Sequence, residues 1–508
     1  MERLKKIKKE LINYSLINII IAINITIASF AHIPFGDLKG FFLYFLYFLA
    51  VQATLFGFMY LLTLNKYVFY TLFPITFIVS SILGFWVYVQ DLSINYGLIE
   101  SVLESNVDIA LDFISPYFLC YFIWIIVSTF LCIKLFKNLK ASKMKSPLFL
   151  IAILCVCFYF IGQHLKRDVF TSKLPYNIIT ALKKYSEKPT ITYNDLMNYD
   201  LDKSIDSVDI VFVLGESVRA DHLELNGYDR ATTPLLNLQR NLISYSNIYT
   251  PLTYTAISVP QILTNQSIKD TIVKNNTILY SILNKLNINT TWIGNQSLEK
   301  SYETIIKENK NIYLIDALHS VLSFKKHKDE ELIKVFDTIE RDSKSNFTTI
   351  HMIGSHWFYD SRYTNKHKKF TPTSKGKFLK SSTKEELINS YDNTIVYLDW
   401  FLNTIIEKLK PTKIPTLLIY ISDHGEILGE DNQWLHAQNN KASTNPAMLI
   451  WYSDSFKTKY PLKTEVLIKN TNENNNTDLI FNSILHLLKV EGFPYNPNSS
   501  IFYSKSKQ

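Results

Sequence analysis

The sequence predicts an α-helical membrane domain of five spans, followed by a C-terminal α/β domain on a doubly wound, mostly parallel sheet. Three observations predict it. Long apolar stretches crowd the chain before residue 165 and thin out after it. From residue 208 onward, short apolar runs rich in branched residues alternate with helical patterns such as 277–286 and 385–409. Such runs suit strands buried on both faces, with helices as their cover. Finally, three of the runs end in candidate metal ligands. Residues 209–214 lead into Gly215-Glu216-Ser217, 347–353 into Gly354-Ser355-His356, and 416–421 into Ser422-Asp423-His424-Gly425-Glu426. The ligand crevice of an open α/β sheet lies just outside the carboxyl ends of its strands. Two carboxylates and two imidazoles delivered there from separate strands point to a metal site.

The spans are expected over 11–30, 41–64, 67–89, 117–136 and 147–162, against the ~20 mostly apolar residues a bilayer needs. Arg3, Lys5, Lys6, Lys8 and Lys9 precede the first span, and Lys66 lies between the second and third. Lys134, Lys137, Lys140, Lys143 and Lys145 surround the fourth-to-fifth connection, whereas the opposite side carries only Lys39. The positive-inside rule therefore puts the N-terminus in the cytoplasm, and five crossings leave everything after about residue 164 outside it. The first span lacks a small-residue cleavage site and further spans follow directly, so it is read as retained. Residues 91–116 have mixed three- and four-residue apolar spacing, which suits a helix along the membrane surface as well as a solvated loop. The expected domains are thus 1–163 in the membrane, a bridge over 164–207, and a catalytic domain over 208–508.

Composition narrows the function. Net charge is +8, but the basic excess sits largely between the apolar stretches and no nucleic-acid module accompanies it, so nucleic acid is excluded as a partner. Cys120, Cys132, Cys155 and Cys157 all fall inside the expected spans. The domain after residue 208 therefore has neither disulfide nor thiol nucleophile, and a metal there must be held by oxygen and imidazole. Glu216, Asp423 and His424 make a plausible set for a borderline ion such as zinc. Thr255, within 251–260, is the candidate nucleophile, because a hydroxyl bound to a divalent cation ionises far more readily than a free one. If Thr255 opens a helix, backbone N–H groups would also face a phosphoryl oxygen.

Gly215-Glu216-Ser217-Val218-Arg219-Ala220-Asp221-His222, continuing through Asn226-Gly227-Tyr228-Asp229-Arg230-Ala231-Thr232-Thr233-Pro234, resembles the signature of bacterial phosphoethanolamine transferases, in the alkaline phosphatase and sulfatase superfamily. Thr253-Tyr254-Thr255-Ala256-Ile257-Ser258-Val259-Pro260 resembles that family's nucleophile segment. Ser390-Tyr391-Asp392-Asn393-Thr394-Ile395 is similar to a family helix, and 422–430 with His436 to its metal segment. The resemblance implies that Glu216, Thr255, Asp423 and His424 bind a catalytic zinc, with a second zinc possible. It implies that Thr255 carries the phosphoethanolamine, and that His356 and His436 act nearby on the phosphoryl group or on a second zinc. Lys300 and Gln296 would contact substrate.

The implied reaction moves phosphoethanolamine from phosphatidylethanolamine to lipid A or another lipopolysaccharide or surface-glycan acceptor, through a phosphoethanolamine–threonine intermediate. The implied enzyme is a monomer of the bacterial inner membrane with a periplasmic catalytic domain, altering surface charge and polymyxin resistance. Transfer to the lipopolysaccharide core, and phosphoglycerol transfer in the same superfamily, are the alternatives. Sulfatase chemistry is disfavoured, since no Cys/Ser-x-Pro-x-Arg segment surrounds Thr255. The chain departs from the family in three places. Pro251 and Gln261 stand where relatives carry cysteines, so the loops are expected to hold by packing alone; Trp357-Phe358 replaces Gly-Pro; and Ile109 replaces a glutamate.

Overall fold

The computed structural model describes residues 2–31, 38–90, 94, 98–99, 102–103, 115–139, 144, 146–165, 167–187, 192–205, 207–270, 276–296, 301–315, 327–341, 345–438 and 440–504. The surface stretch expected over 91–116, including Ile109, lies almost wholly outside them, as does Lys300. The chain divides into two compact units. One comprises Met1–Glu100, Phe113–Lys188 and Phe378–Lys380; the other comprises Ser101–Asp112, Pro189–Lys377 and Ser381–Gln508.

The first unit is helical: α1 (Glu2–Ile21), α2 (Leu38–Leu62), α3 (Lys66–Gln90), α4 (Pro116–Lys137), α5 (Pro147–His164) and the short α6 (Tyr176–Ser186). Among the described residues, five stretches are long and apolar enough to cross a membrane: Ile7–Ser29, Phe41–Leu62, Lys66–Val89, Pro116–Lys137 and Pro147–His164. Each coincides with an expected span to within a few residues. The first is not α-helical throughout, passing through a π-turn at Ala22–Thr26 and a 3₁₀ turn at Ile27–Ser29. α4 and α5 start alike, with Ser115 and Ser146 capping and a proline in the first turn. Small residues bring α2 and α5 together, as packing without a hydrophobic drive requires. A Cβ on Gly57 would lie 2.7 Å from the Ala152 carbonyl.

The second unit is built on seven strands: β1 (Asp209–Gly215), β2 (Leu242–Tyr245), β3 (Asn289–Gly294), β4 (Asn311–Leu314), β5 (Asn346–His351), β6 (Thr416–Ser422) and β7 (Met448–Tyr452). Their order is β2-β7-β6-β1-β5-β3-β4. All neighbours pair in parallel except at β7, which is antiparallel to both β6 and β2. Every residue of β1, β5, β6 and β7 is buried, which explains the continuous apolar runs. Helices that bear on the site are α7 (Thr255–Ile262), α8 (Leu279–Lys285), α9 (Lys384–Leu409) and α10 (Leu479–Leu488). A capping box starts α9, with Thr383 accepting from the Glu386 amide and Glu386 accepting from the Thr383 amide.

The run expected over 347–353 ends sooner as a strand. The amides of Ile353 and Gly354 turn away from the sheet to the buried Asp329 carboxylate, both at 3.0 Å. Gly354 then takes φ +52°, and any Cβ there would come within 2.7 Å of the Glu216 carbonyl.

Candidate metal centre

Parallel register sets the first two ligands side by side. Gly215 of β1 is paired with Ser422 of β6, so Glu216 and Asp423 emerge at the same level beyond the sheet. The Asp423 amide completes the ladder by donating to the Gly215 carbonyl at 3.2 Å. His424 follows, and its Nδ1 is 2.8 Å from the Gly425 carbonyl. A carbonyl only accepts, so Nδ1 carries a proton and Nε2 is the nitrogen left to face an ion, the arrangement usual for a metal-ligating histidine. Ser217 bridges the pair, its hydroxyl donating to Glu216 Oε1 at 2.8 Å and its amide to Asp423 Oδ1 at 3.2 Å.

Glu216, Asp423 and His424 are fully buried, and their ligand atoms lie within 4.8 Å of one another. His424 Nε2 is 3.3 Å from Glu216 Oε1 and 3.3 Å from Asp423 Oδ2, yet makes no hydrogen bond. Donors about 2.0–2.1 Å from a tetrahedral zinc are separated by about 3.3–3.4 Å, the edge of the tetrahedron. The triad therefore fits such an ion. Electrostatics agree. Burial raises Asp423 and the Glu216 charge raises it further, to about 7. Burial opposes the charge on His424, but the two carboxylates outweigh it and lift the imidazole to about 10. Burial likewise opposes ionisation of Glu216, yet the His424 imidazole beside it holds it well below the usual range. Two buried carboxylates thus demand positive charge at one point.

Thr255 is the first residue of α7 and donates from Oγ1 to Glu216 Oε2 at 2.8 Å. Ser258, one turn on, sets its hydroxyl between the Tyr254 carbonyl at 3.1 Å and Asp423 Oδ2 at 3.3 Å. The expected phosphoryl cradle is smaller than a bare helix start would give, because the amides of Ile257 and Ser258 are spent on the Tyr254 carbonyl.

The two further histidines lie beside the triad. The His436 ring is 4.7 Å from that of His424 and 5.3 Å from that of His356, centroid to centroid. His436 Nδ1 is 2.9 Å from Glu426 Oε2, whose other oxygen accepts from Tyr359 at 2.7 Å. With both Glu426 oxygens engaged, that carboxylate orients His436 through Nδ1, and His424, Glu426 and His436 lie close enough together to hold an ion. His356 Nδ1 faces the Trp357 carbonyl at 2.6 Å, and burial pushes the imidazole down to about 3. It is therefore neutral near pH 7 and presents a lone pair at Nε2.

Gln296 spends one amide hydrogen and its oxygen on the fold. It is buried, with Nε2 donating to the Met352 carbonyl at 2.7 Å and Oε1 accepting from Tyr302 at 3.4 Å, so it braces the end of β5. Sequence reasoning passed over Ser217, Ser258, Tyr359 and Glu426. Three of them stand inside the quoted motifs, where short spacing to Glu216, Thr255 or His424 was the available signal. Tyr359 gave none. The expectation that packing alone replaces the missing disulfide also needs correction. Gln261 donates to Asp478 Oδ1 at 2.8 Å and accepts from Thr477 at 2.6 Å, a polar clamp in the position of a cysteine.

The sulfatase family model matches residues 209–490, more than half of the chain. The chain belongs to the sulfatase family. Within it, the chain is similar to phosphoethanolamine transferase EptA of Helicobacter pylori, 28% identical over 461 residues that cover 85% of this chain and 84% of the relative. Its fold is that of the integral membrane protein lipooligosaccharide phosphoethanolamine transferase A from Neisseria meningitidis, with a TM-score of 0.79. That match has 23% identity and covers 96% of this chain and 98% of the other. The C-terminal periplasmic domain of EptC from Escherichia coli, solved in complex with Zn, matches with a TM-score of 0.55 and 20% identity, covering 63% of this chain and 92% of that one. The resemblance read from the motifs and the expected fold class, five membrane-length helices plus a mostly parallel sheet, both stand.

Proposed function

We propose that this chain is a phosphoethanolamine transferase that uses Thr255 as a covalent carrier between phosphatidylethanolamine and lipid A or a related lipopolysaccharide acceptor. One observation carries the reading: a threonine hydroxyl at a helix start, 2.8 Å from a buried carboxylate that belongs to a metal-binding triad. Glu216, Asp423, His424 and Thr255 would hold one zinc, and His356 and His436 supply two further nitrogens for substrate or a second ion. A zinc ion there would lower the proton affinity of the threonine hydroxyl and neutralise charge gathering on the phosphoryl oxygens.

In the first step Thr255 gives up its hydroxyl proton to solvent and Oγ attacks the phosphorus of phosphatidylethanolamine, while the bond from phosphorus to the diacylglycerol oxygen breaks. That oxygen leaves with a proton. His436, aimed by its bond to Glu426, is the group placed to hand it over at Nε2, as carboxylate–histidine pairs do elsewhere. In the second step a lipid A phosphate or glycan hydroxyl oxygen attacks the same phosphorus, and the Thr255 Oγ–phosphorus bond breaks. His356, its Nδ1 turned to the Trp357 carbonyl, would present Nε2 as a hydrogen-bond acceptor to an incoming hydroxyl. Both lipids are insoluble, so five spans in the inner membrane with the catalytic domain on the periplasmic side keep the reactants in one leaflet. The enzyme would act as a monomer, and the product would carry less net negative surface charge, a route to polymyxin resistance.

The deciding experiment is mass spectrometry of lipid A and core from cells with and without the chain. A phosphoethanolamine adduct on lipid A or core that depends on Thr255 supports the proposal. An unchanged profile together with undiminished phosphatidylethanolamine would overturn it.

A further inference from the structure

The motif at 390–395 has no partner in the chemistry above, and its neighbours say what it does. Tyr391 and Thr394 are three apart on α9 and so share one face. The Tyr391 hydroxyl donates to the Ser217 carbonyl at 2.8 Å and accepts from the Arg219 amide at 2.9 Å. It therefore pins the backbone directly after Glu216, where Ser217 is held at φ +61°. Thr394 Oγ1 donates to the Tyr391 carbonyl at 2.6 Å. A hydroxyl has one proton, so at the 2.6 Å contact between Thr394 and Ser355 it is Ser355 that donates. Ser355 precedes His356, and its own amide donates to the Glu216 carbonyl at 2.9 Å. One helix face thus closes a ring through the Glu216 carbonyl, the backbone that follows it and the stem of His356. The three side chains on this path, Tyr391, Thr394 and Ser355, are all buried.

We infer that Tyr391 and Thr394 are positioning residues. Together they fix metal ligand Glu216 and the adjacent His356 at the separation the reaction needs. The inference rests on the transferase reading for its kinetic consequence, but its geometric content concerns the metal ligands alone.

The test uses the full-length protein in detergent and three variants: Tyr391→Phe, Thr394→Val and Thr394→Ser. Zinc affinity is measured by competition with a chelating dye, and kcat and KM by headgroup release from short-chain phosphatidylethanolamine. Partners behind a metal ligand are worth about 10–100-fold in affinity or activity. Tyr391→Phe and Thr394→Val should each weaken zinc about tenfold or more and lower kcat by a similar factor, with KM within about twofold. Thr394→Ser, which keeps the hydroxyl, should stay within about twofold of wild type in both. Wild-type zinc affinity in the phenylalanine and valine variants overturns the inference, as does a serine variant as impaired as the valine one. If Tyr391→Phe fails to fold, the two Thr394 variants decide alone. If the wild type binds zinc but transfers nothing, the proposed function fails, and the affinity series still judges the ring. A wild type without zinc affinity overturns both.

Discussion

Replacing Gln261 by alanine should destabilise the catalytic domain by an amount that the hydrogen bonds predict. Gln261 is on the last turn of α7, the helix that Thr255 opens, and is 1% exposed. Its amide donates to Asp478 Oδ1 at 2.8 Å and to the Gln266 carbonyl at 3.1 Å, and its oxygen accepts from Thr477 at 2.6 Å. The bond to the carboxylate is worth about 1.5–3 kcal/mol and each neutral one about 1 kcal/mol, with the fully buried Thr477 hydroxyl left orphaned. Asp478 keeps Ser267 and the Ile268 amide, so no bare charge is stranded. The expected loss is about 3–5 kcal/mol, a sizeable share of the 5–15 kcal/mol typical of a folded domain. At about 2 °C per kcal/mol for a domain of this size, melting should fall by about 6–10 °C. Circular dichroism melts of the full chain read this directly. Gln261→Glu sharpens the test by setting a second carboxylate against Asp478. Burial and repulsion raise the new carboxyl in the folded state, so its penalty is present above that raised value and fades as pH falls. The glutamate variant should therefore recover toward wild type in mild acid, whereas the alanine variant should not. A loss under about 1 kcal/mol in the alanine variant, or no difference in pH response between the two, would refute the clamp.

Thr255→Ala should abolish transfer with folding intact while Thr255→Ser retains some, and a trapped phosphopeptide lacking Thr255 would sink the nucleophile assignment. Chelation should inactivate the enzyme and zinc restore it, because Glu216 and Asp423 leave two buried negative charges beside one imidazole; activity after exhaustive metal removal counts against the site. The fragment 208–508 should turn over a water-soluble analogue slowly but lose most activity on liposomes, since anchoring near both lipids is worth several kcal/mol; equal loss on both substrates would discard the proximity argument. Asp209→Asn should stabilise the fold above pH 6. Burial, only partly offset by Arg341, raises the Asp209 carboxyl from 3.8 to about 6, a penalty of about 3 kcal/mol at most, fully present above pH 6 and lost toward 3.8. Unfolding midpoints of wild type and variant that stay parallel from pH 8 to pH 4.5 would contradict it.

How much was legible depended on the range of the interaction involved. The buried strands 209–215 and 416–422 show themselves as apolar runs because both sheet faces are covered, and their ligands follow at once along the chain. Membrane-length helices are equally plain, since length and composition suffice. Other features were not visible. The early end of β5 depends on Asp329, more than twenty residues away, taking the two amides that would have continued the ladder. Gln296 reads as a polar residue near a site until the Met352 carbonyl claims its amide. Tyr359 lies in an aromatic stretch whose spacing says nothing of its bond to Glu426, 67 residues on.

The same distinction separates what reacts from what holds it in place. Ligands and nucleophile must occupy set chemical types at strand ends and a helix start, so local sequence betrays them. The groups that steady them need only present a donor or acceptor at the right point, and any element can supply it. Here α9 steadies Glu216 through Tyr391, and the loop before α10 steadies α7 through Thr477 and Asp478. No cysteine lies after residue 157, so these buried polar contacts carry work that a covalent bridge could share. They are less forgiving than packing, because a buried donor or acceptor left unpaired costs its full desolvation. Substitutions at the clamp positions should accordingly be harsher than their distance from the phosphorus suggests, and harshest where the hydroxyl or amide is removed but the volume kept.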